Sequence, residues 1–413
     1  MRVDGDRMRV DFDALAAIGA TPAGGVSRPS LGDAHLAARR WFLERAEAAG
    51  LETRVDAAGN HSAVLPAPGP TPSPTLLLGS HLDSVPDGGR YDGALGVVAA
   101  LHVLLALRET TLPLALEAID FTDEEGTLVG LIGSEALTGA LRPEALEAPR
   151  GGREALLAGL ERAGLREELL AGARRDPATL AGYLELHIEQ GPRLERAGVQ
   201  IGIVTGIVGS RSVVLDFRGL ANHAGTTPMD ARCDAGLAAA VFAVAANALV
   251  LRDFPDCVAT VGDMRFQPGT FNVVPGAARV SLEFRSLESA QLDALEAALL
   301  EQARAAAEHH ALGVEATVLG AWAPAALDAG MREAIATATA GLRLTAMELP
   351  SGAGHDAQAL AAVTPSGMIF VPSAGGVSHD PRERTSWEDC VNGANTLLHA
   401  ALERCRRYPV RGT

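Results

Sequence analysis

The chain has 413 residues, 47% hydrophobic and 21% charged, with a formal net charge of −16. That length exceeds one ordinary core and sets an expectation of two domains, while the charge argues against nucleic acid and anionic membrane as partners. The four cysteines, Cys233, Cys257, Cys390 and Cys405, show no paired spacing, so they read as reduced cytoplasmic thiols, not a disulfide frame or a zinc ribbon. The first residues mix both signs of charge and lead into no apolar segment, unlike a signal peptide.

In chain order, the spacing of apolar residues predicts a helix over Ala34–Ala49 with Asp33 as its cap, then short strands at Glu52–Val55 and Ser62–Leu65. A proline-rich loop, Pro66–Pro74, leads to a buried strand at Thr75–Leu78. Gly93–Leu107 is a helix with almost no polar face, followed by a buried strand over Leu114–Phe121. This β–α–β order implies a mixed or parallel sheet covered by helices, with functional groups at the carboxyl ends of its strands. Near residue 208 the texture changes. Ser210–Phe217, Val258–Phe266 and Ala277–Arg285 alternate as half-exposed antiparallel strands, with helices at 231–251 and 288–310. The apolar run Ala235–Leu251 is interrupted by Asn247 and slightly short for a membrane span, so with Asp234 as cap it reads as a buried helix. Met331–Leu344, Met368–Val371 and Trp387–Arg406 return to the first style. The expected architecture is α/β: a discontinuous catalytic domain of residues 1–207 and 326–413, with a mixed sheet flanked by helices, and an inserted two-layer α+β domain over 208–325.

Chemistry concentrates where these strands end. Thr75–Leu78 runs into Gly-Ser-His81-Leu-Asp83, and a glycine-rich turn carries Asp92. Leu114–Phe121 runs into Asp123-Glu124-Glu125; His187-Ile-Glu-Gln190 and Ser378-His379-Asp380 follow. Each group has an ordinary reading alone: Asp92 as a turn residue, Glu124-Glu125 as a solvated patch or helix start, His187 as a core histidine, His379 as surface. Together, imidazoles and carboxylates at the ends of buried strands point to metal. Imidazoles with carboxylates and no thiolate suit zinc, manganese, cobalt or nickel. Five ligands are too many for one open catalytic ion and suit two ions that share a carboxylate. Asp92 is the natural bridge, since its turn lies closest to His81, and Asp83 is placed to orient a ring. Neighbouring side chains point apart, so of Glu124 and Glu125 one should ligate and the other face water as a base.

Eight motifs occur in order: Gly-Ser-His-Leu-Asp-Ser-Val, Tyr-Asp-Gly-Ala-Leu-Gly-Val, Phe-Thr-Asp-Glu-Glu-Gly, Glu-Leu-His-Ile-Glu-Gln-Gly-Pro, Ala-Asn-His-Ala-Gly-Thr-Thr-Pro-Met, Phe-Asn-Val-Val-Pro-Gly, Ser-Gly-Ala-Gly-His-Asp-Ala and Gly-Val-Ser-His-Asp-Pro. From about residue 10 to 405 the chain resembles the dinuclear-metal amidohydrolases related to zinc aminoacylases and carboxypeptidases. More narrowly it is similar to the branch of N-carbamoyl-L-amino-acid hydrolase, allantoate amidohydrolase and β-ureidopropionase. His187, where related peptidases tend to have a carboxylate, marks the branch.

The resemblance implies two divalent ions per subunit, one held by His81, Asp92 and His187, the other by Asp92, Glu125 and His379. Bound there, they would lower the pKa of water and polarise the ureido carbonyl. It also implies Glu124 as general base, and His223 of the inserted domain as a group that crosses a homodimer to stabilise the oxyanion. Asn272 and Arg285 would hold the substrate carboxylate, for which a guanidinium fork is suited. Gln190 and Gly352, Ala353 and Gly354 would contact the rest of the substrate, with His355 and Asp356 supporting that loop. Two departures stand out: Thr127-Leu128-Val129 after Gly126, where a small residue and Arg-Phe are frequent, and Asp380 where Asn is frequent. Neither touches an implied ligand; the first leaves room for a different substrate shape. The expected activity is hydrolysis of an N-carbamoyl-L-amino acid, with allantoate and N-carbamoyl-β-alanine as alternatives. An aminoacylase, a dipeptidase and a non-catalytic metal-bearing binder are more remote, the last because a binder has no need of Glu124.

Overall fold

The structure, a computed structural model, describes residues 1–69 and 73–408. Residues 70–72 of the expected Pro66–Pro74 loop, and 409–413 of the expected domain part 326–413, lie outside the described residues. The fifteen strands among these are β1 Glu52–Val55, β2 His61–Leu65, β3 Thr75–His81, β4 Ala115–Phe121, β5 Leu180–Ile188, β6 Ile201–Ile207, β7 Gly209–Arg218, β8 Asn222–His223, β9 Val258–Gln267, β10 Val273–Val274, β11 Ala277–Ser286, β12 Gly313–Trp322, β13 Ala325–Ala326, β14 Ala346–Ser351 and β15 Ser366–Val371. Two compact units form: Met1–Thr205 with Leu327–Thr413, and Gly206–Ala326. The divisions fall at 205/206 and 326/327, against the expected 207/208 and 325/326.

The first unit is built on a mixed sheet of order β1-β2-β4-β3-β5-β15-β6, with β14 beside β6. Its centre, β4-β3-β5-β15, is parallel, in the register His81 opposite Phe121, Leu78 opposite Leu184 and Phe370 opposite His187. Parallel strands covered on both faces read as unbroken apolar runs, and β5 and β15 are buried throughout. The helix Ala94–Leu107 packs on β3, β4 and β5 with twelve of its fourteen residues buried, which explains its missing polar face. Its one buried polar group, His102, bonds Asp11 at 2.9 Å, and Arg45 completes that pair at 2.7 Å. Because the central strands are parallel, all four carboxyl ends, with the segments that follow them, meet at one edge.

The second unit is a four-stranded antiparallel sheet of order β12-β7-β11-β9 covered by the helices Ala235–Asp253 and Ser289–His309. Val213, Leu215, Phe217, Phe242, Val280, Leu282, Phe284 and Leu295 form its core. The apolar helix carries the expected cap, the Asp234 carboxylate accepting from Leu237 N at 3.0 Å. It is long and apolar enough to cross a membrane, yet one face is consumed by this core.

Besides the helix Gly5–Ala16 and strands β5, β6 and β14, which have no predicted counterpart, three differences from the sequence reading have a physical reason. Asp33 is the first residue of its helix, not the cap: Gly32 caps Asp33–Glu47 without a side-chain bond. Strand β12 has no predicted counterpart, because its exposed positions break the alternation that marks a half-buried strand. The short helices Ile132–Thr138, Pro143–Glu147 and Arg153–Arg162 were also unpredicted; each is shorter than the window in which a helical period shows. They close a small core of their own around Leu31, Leu128, Ile132, Leu156 and Leu160.

Candidate metal centre

His81 ends β3, and its Nδ1 lies 3.0 Å from the Asp83 carbonyl oxygen. His187, next to last in β5, has Nδ1 2.9 Å from the Ile188 carbonyl. A carbonyl only accepts, so each ring carries its proton on Nδ1 and turns the Nε2 lone pair inward. Those two Nε2 atoms stand 3.5 and 3.0 Å from Asp92 Oδ1. The other carboxylate oxygen, Asp92 Oδ2, lies 3.4 Å from His379 Nε2, which is also 3.3 Å from Glu125 Oε2. Two donor sets result, His81–Asp92–His187 and Asp92–Glu125–His379, each with ligand atoms within 4.8 Å of one another.

Asp92 can stand this close only because Gly93 follows it. Gly93 has φ 60°, and a Cβ there would collide with the His81 imidazole. The adjacent acids diverge as neighbouring residues should: Glu124 Oε2 lies 3.4 Å from His81 Nε2, whereas Glu125 faces His379. Asp83 acts in two ways. Its carbonyl, not its carboxylate, is the acceptor that orients His81, and the carboxylate accepts from Glu124 N and Glu125 N at 3.3 Å each. Asp123 holds the same turn from the other side, accepting from Leu128, Val129 and Gly130 N at 2.7–3.1 Å. Asp123, Gln190 and His379 all have positive φ, between 55° and 61°, a strain of the kind that collects where side chains are aimed for function.

The electrostatics fit cations. Burial pushes the Asp92 carboxyl up, but the His187, His379 and His81 rings overcome it and hold it well below the usual carboxylate range. Burial opposes the charge on His81, yet Glu124, Asp92 and Asp83 raise it well above the ordinary histidine value. A hydrogen bond to Asp92 raises His379 to about 9 against burial, with Glu125 adding to it. The carboxylates that favour positive charge on these rings would favour a divalent cation between them in the same way. His81 Nε2 is also buried without a hydrogen-bond partner, an orphan that a metal ligand would explain. Imidazole and carboxylate donors without thiolate suit zinc, manganese, cobalt or nickel. Burial drives Glu124 well above the ordinary glutamate value, only partly offset by His81, and Asp356, Glu125 and Asp92 push it further up. Burial and Asp92 raise Glu125 to about 7.

Of the remaining expected residues, Gln190 donates from Nε2 to Asp92 Oδ2 at 2.8 Å, so here it contacts the shared carboxylate. Gly352, Ala353 and Gly354 follow β14 in a loop tied by Ser351 Oγ to His355 Nε2 at 2.9 Å and to Ala353 N at 3.1 Å. The His355 ring lies 4.5 Å from that of His187, and burial with the His187 charge keeps it neutral. Asp356 is fully buried; burial, then Glu185, push it well above the carboxylate range. Glu185, His187 and His355 form a third cluster, but both Glu185 oxygens are taken by Ser80 Oγ at 2.8 Å and Ala357 N at 3.1 Å. That cluster is a scaffold for His187.

His223, Asn272 and Arg285 belong to the second unit. His223 pairs with Val273 in the β8–β10 ladder, and its exposed ring accepts from Gly225 N and Thr226 N at 3.0 and 3.2 Å. Asn272 accepts from Ala224 N at 2.9 Å, which places it beside His223. Arg285 donates from Nε and a terminal nitrogen to Glu283 at 2.9 and 2.7 Å, half-buried on β11. Sequence reasoning missed Glu185, Ser351, Ser378 as a hydrogen-bonding group and Glu383; only Ser378 had a signal, its place beside His379.

A sequence model of Peptidase family M20/M25/M40 matches residues 77–403. The N-carbamoyl-L-amino acid amidohydrolase of Geobacillus stearothermophilus is 38% identical over 408 residues, covering 97% of this chain and 98% of the relative. The allantoate amidohydrolase of Escherichia coli K12 is 33% identical over 93% of this chain and 94% of its own length. Among solved structures, an amidase of the hydantoinase/carbamoylase family from Burkholderia multivorans superposes with a TM-score of 0.87 at 34% identity, over 98% of each chain.

Proposed function

The chain belongs to Peptidase family M20/M25/M40, and from that membership we propose that it is a metal-dependent amidohydrolase. Its reaction is the conversion of an N-carbamoyl-L-amino acid to the amino acid, ammonia and carbon dioxide. The observation that carries the reading is Asp92, whose two oxygens face two separate donor sets, with Glu124 beside one of them and bound to neither carboxylate partner. The full-length relatives that act on ureido compounds supply the reaction class.

His81, Asp92 and His187 would hold one divalent ion and Asp92, Glu125 and His379 the other, zinc first among those that suit such donors. When bound, these ions supply Lewis acidity to water and to the ureido carbonyl. Glu124 takes the proton of the attacking water and returns it to the leaving nitrogen, a role suited to a carboxyl whose burial lifts its pKa well above the ordinary glutamate value. Arg285 and Asn272 bind the substrate carboxylate, Gln190 and the Gly352–Gly354 loop the rest, and His223 steadies the developing oxyanion. Residues 1–207 and 326–413 form the catalytic part and 208–325 a lid that dimerises. The four free thiols, three of them buried, support a cytoplasmic setting.

The homodimer has its own support. On the helix Ala235–Asp253, Leu237, Val241, Val244 and Leu251 are 40–74% exposed at helical spacing. Beside them β9 is the outer strand of its sheet, with Val258 59% exposed. An apolar stripe next to an unpaired strand edge suits a second copy of the same surface. The double variant Val244→Asp, Leu251→Asp should elute as a folded monomer and lose about 10²–10³-fold in kcat, the worth of one oxyanion donor. A monomeric variant with full turnover would remove His223 from the reaction.

One substrate panel on metal-reconstituted protein tests the whole reading: N-carbamoyl-L- and D-amino acids of several sizes, allantoate, N-carbamoyl-β-alanine, N-acetyl amino acids and dipeptides. Turnover of N-carbamoyl-L-amino acids above all others is expected. Preference for allantoate would move the assignment within the branch, and preference for N-acetyl or peptide substrates would defeat it.

A further inference from the structure

We propose that Glu383 is a positioning residue that locks the shared carboxylate Asp92 to the loop bearing His379. Glu383 is 4% exposed and belongs to neither donor set. One of its oxygens accepts from Tyr91 N at 2.9 Å and from Asp92 N at 3.2 Å, so it grips the backbone that aims Asp92. The other lies 2.9 Å from Ser378 Oγ, and that hydroxyl is 3.1 Å from Asp92 Oδ2. A closed ring results, from the Asp92 backbone through Glu383 and Ser378 back to the Asp92 side chain. It ties together two stretches of chain nearly three hundred residues apart. The turn is shut by Glu383 N donating to Asp380 O at 2.9 Å, and the loop's other end by Ala374 N donating to Arg384 O at 2.8 Å. Gly89 makes room for it, since a Cβ there would collide with the Glu383 carboxyl group. His379 itself is half-exposed at φ 55°, and Gln190 Nε2, 2.8 Å from Asp92 Oδ2 and 3.5 Å from His379 Nε2, gives it a second link to Asp92 beside this ring.

The geometry also says what Glu383 must offer. Ser378 has one hydroxyl proton and stands between two carboxylates. A glutamine at 383 meets every requirement: its carbonyl accepts from Tyr91 N and Asp92 N, its amide donates to Ser378 Oγ, and Ser378 donates to Asp92. The role is therefore shape and hydrogen bonding, not charge.

This inference rests on the two-ion reading above, so the test reads metal binding directly. Zinc affinity of the full-length protein is measured by competition with a chromophoric chelator, beside kcat, KM and thermal unfolding. Wild type should bind two equivalents. Glu383→Ala should weaken the weaker equivalent by about 10–100-fold, the usual worth of a partner that orients a ligand, and lower kcat with little change in KM. Glu383→Gln should stay within about threefold of wild type on both, against that same 10–100-fold scale. Should Glu383→Ala fail to fold, Ser378→Ala decides: it keeps the backbone grip of Glu383 and removes the hydroxyl that links Glu383, Asp92 and Gln190, so a loss of about tenfold is expected. Two wild-type equivalents with unchanged affinity in Glu383→Ala or Ser378→Ala would overturn the inference alone, as would Glu383→Gln as impaired as Glu383→Ala. Wild-type protein that takes up no zinc would overturn the metal reading and this inference with it.

Discussion

Replacing Glu124 with glutamine should abolish most turnover, lowering kcat by about 10²–10⁴-fold, the range that a positioned general acid–base group contributes. The variant keeps the size of the side chain and removes only its capacity to take a proton. The Glu124 side chain is 9% exposed and lies 3.4 Å from His81, beside Asp356, Glu125 and Asp92, so the neutral amide is tolerated without loss of an ion pair to Arg or Lys among the described residues. Its backbone N–H remains bound to Asp83. Metal content and thermal stability should therefore stay near those of the wild type while kcat collapses. Steady-state kinetics with metal analysis of the same sample checks this. Turnover intact in Glu124→Gln would assign the proton transfer elsewhere.

The second large effect is expected at Asp92. Asp92→Asn removes the only carboxylate of one donor set and one of the two in the other, because Oδ1 serves His81 and His187 while Oδ2 serves His379. Partners that merely orient ligands are worth about 10–100-fold in metal affinity, so a shared ligand should cost more than that at both sites. Both equivalents should be lost together in an equilibrium dialysis series. Glu125→Gln gives the contrast, because Glu125 contributes to one set only: it should weaken one equivalent and spare the other. Equal loss of both in Glu125→Gln would mean that the sets are not separate.

Much of this site could be read from the chain because its residues sit at ends of elements with strong local patterns. The apolar runs of β3 and β4 announce buried strands, and a parallel sheet gathers its carboxyl ends at one edge. His81, Glu124 and Glu125 follow from that alone. The ligand roles of Asp92 and His379 needed the resemblance, since a turn aspartate and a loop histidine carry no period of their own.

The supporting network was not legible, because it depends on distant backbone atoms. Glu383 gains its importance from the Tyr91 and Asp92 amides, and Asp83 from the Glu124 and Glu125 amides. A side chain bonding to main chain leaves no signature in its partner's identity. The same reason hid which group of Asp83 orients His81: it is the main-chain carbonyl. The helices between 132 and 162 escaped because their stability comes from a small shared core and not from their own periodicity.

The most direct test of the central claim follows ammonia and free amino acid released from an N-carbamoyl-L-amino acid by three samples: protein as purified, stripped by a chelator, and reconstituted with zinc or manganese. Equimolar release that vanishes on stripping and returns with two equivalents of metal is the predicted result. Release that persists in fully stripped protein, or no release at any metal loading, would contradict it.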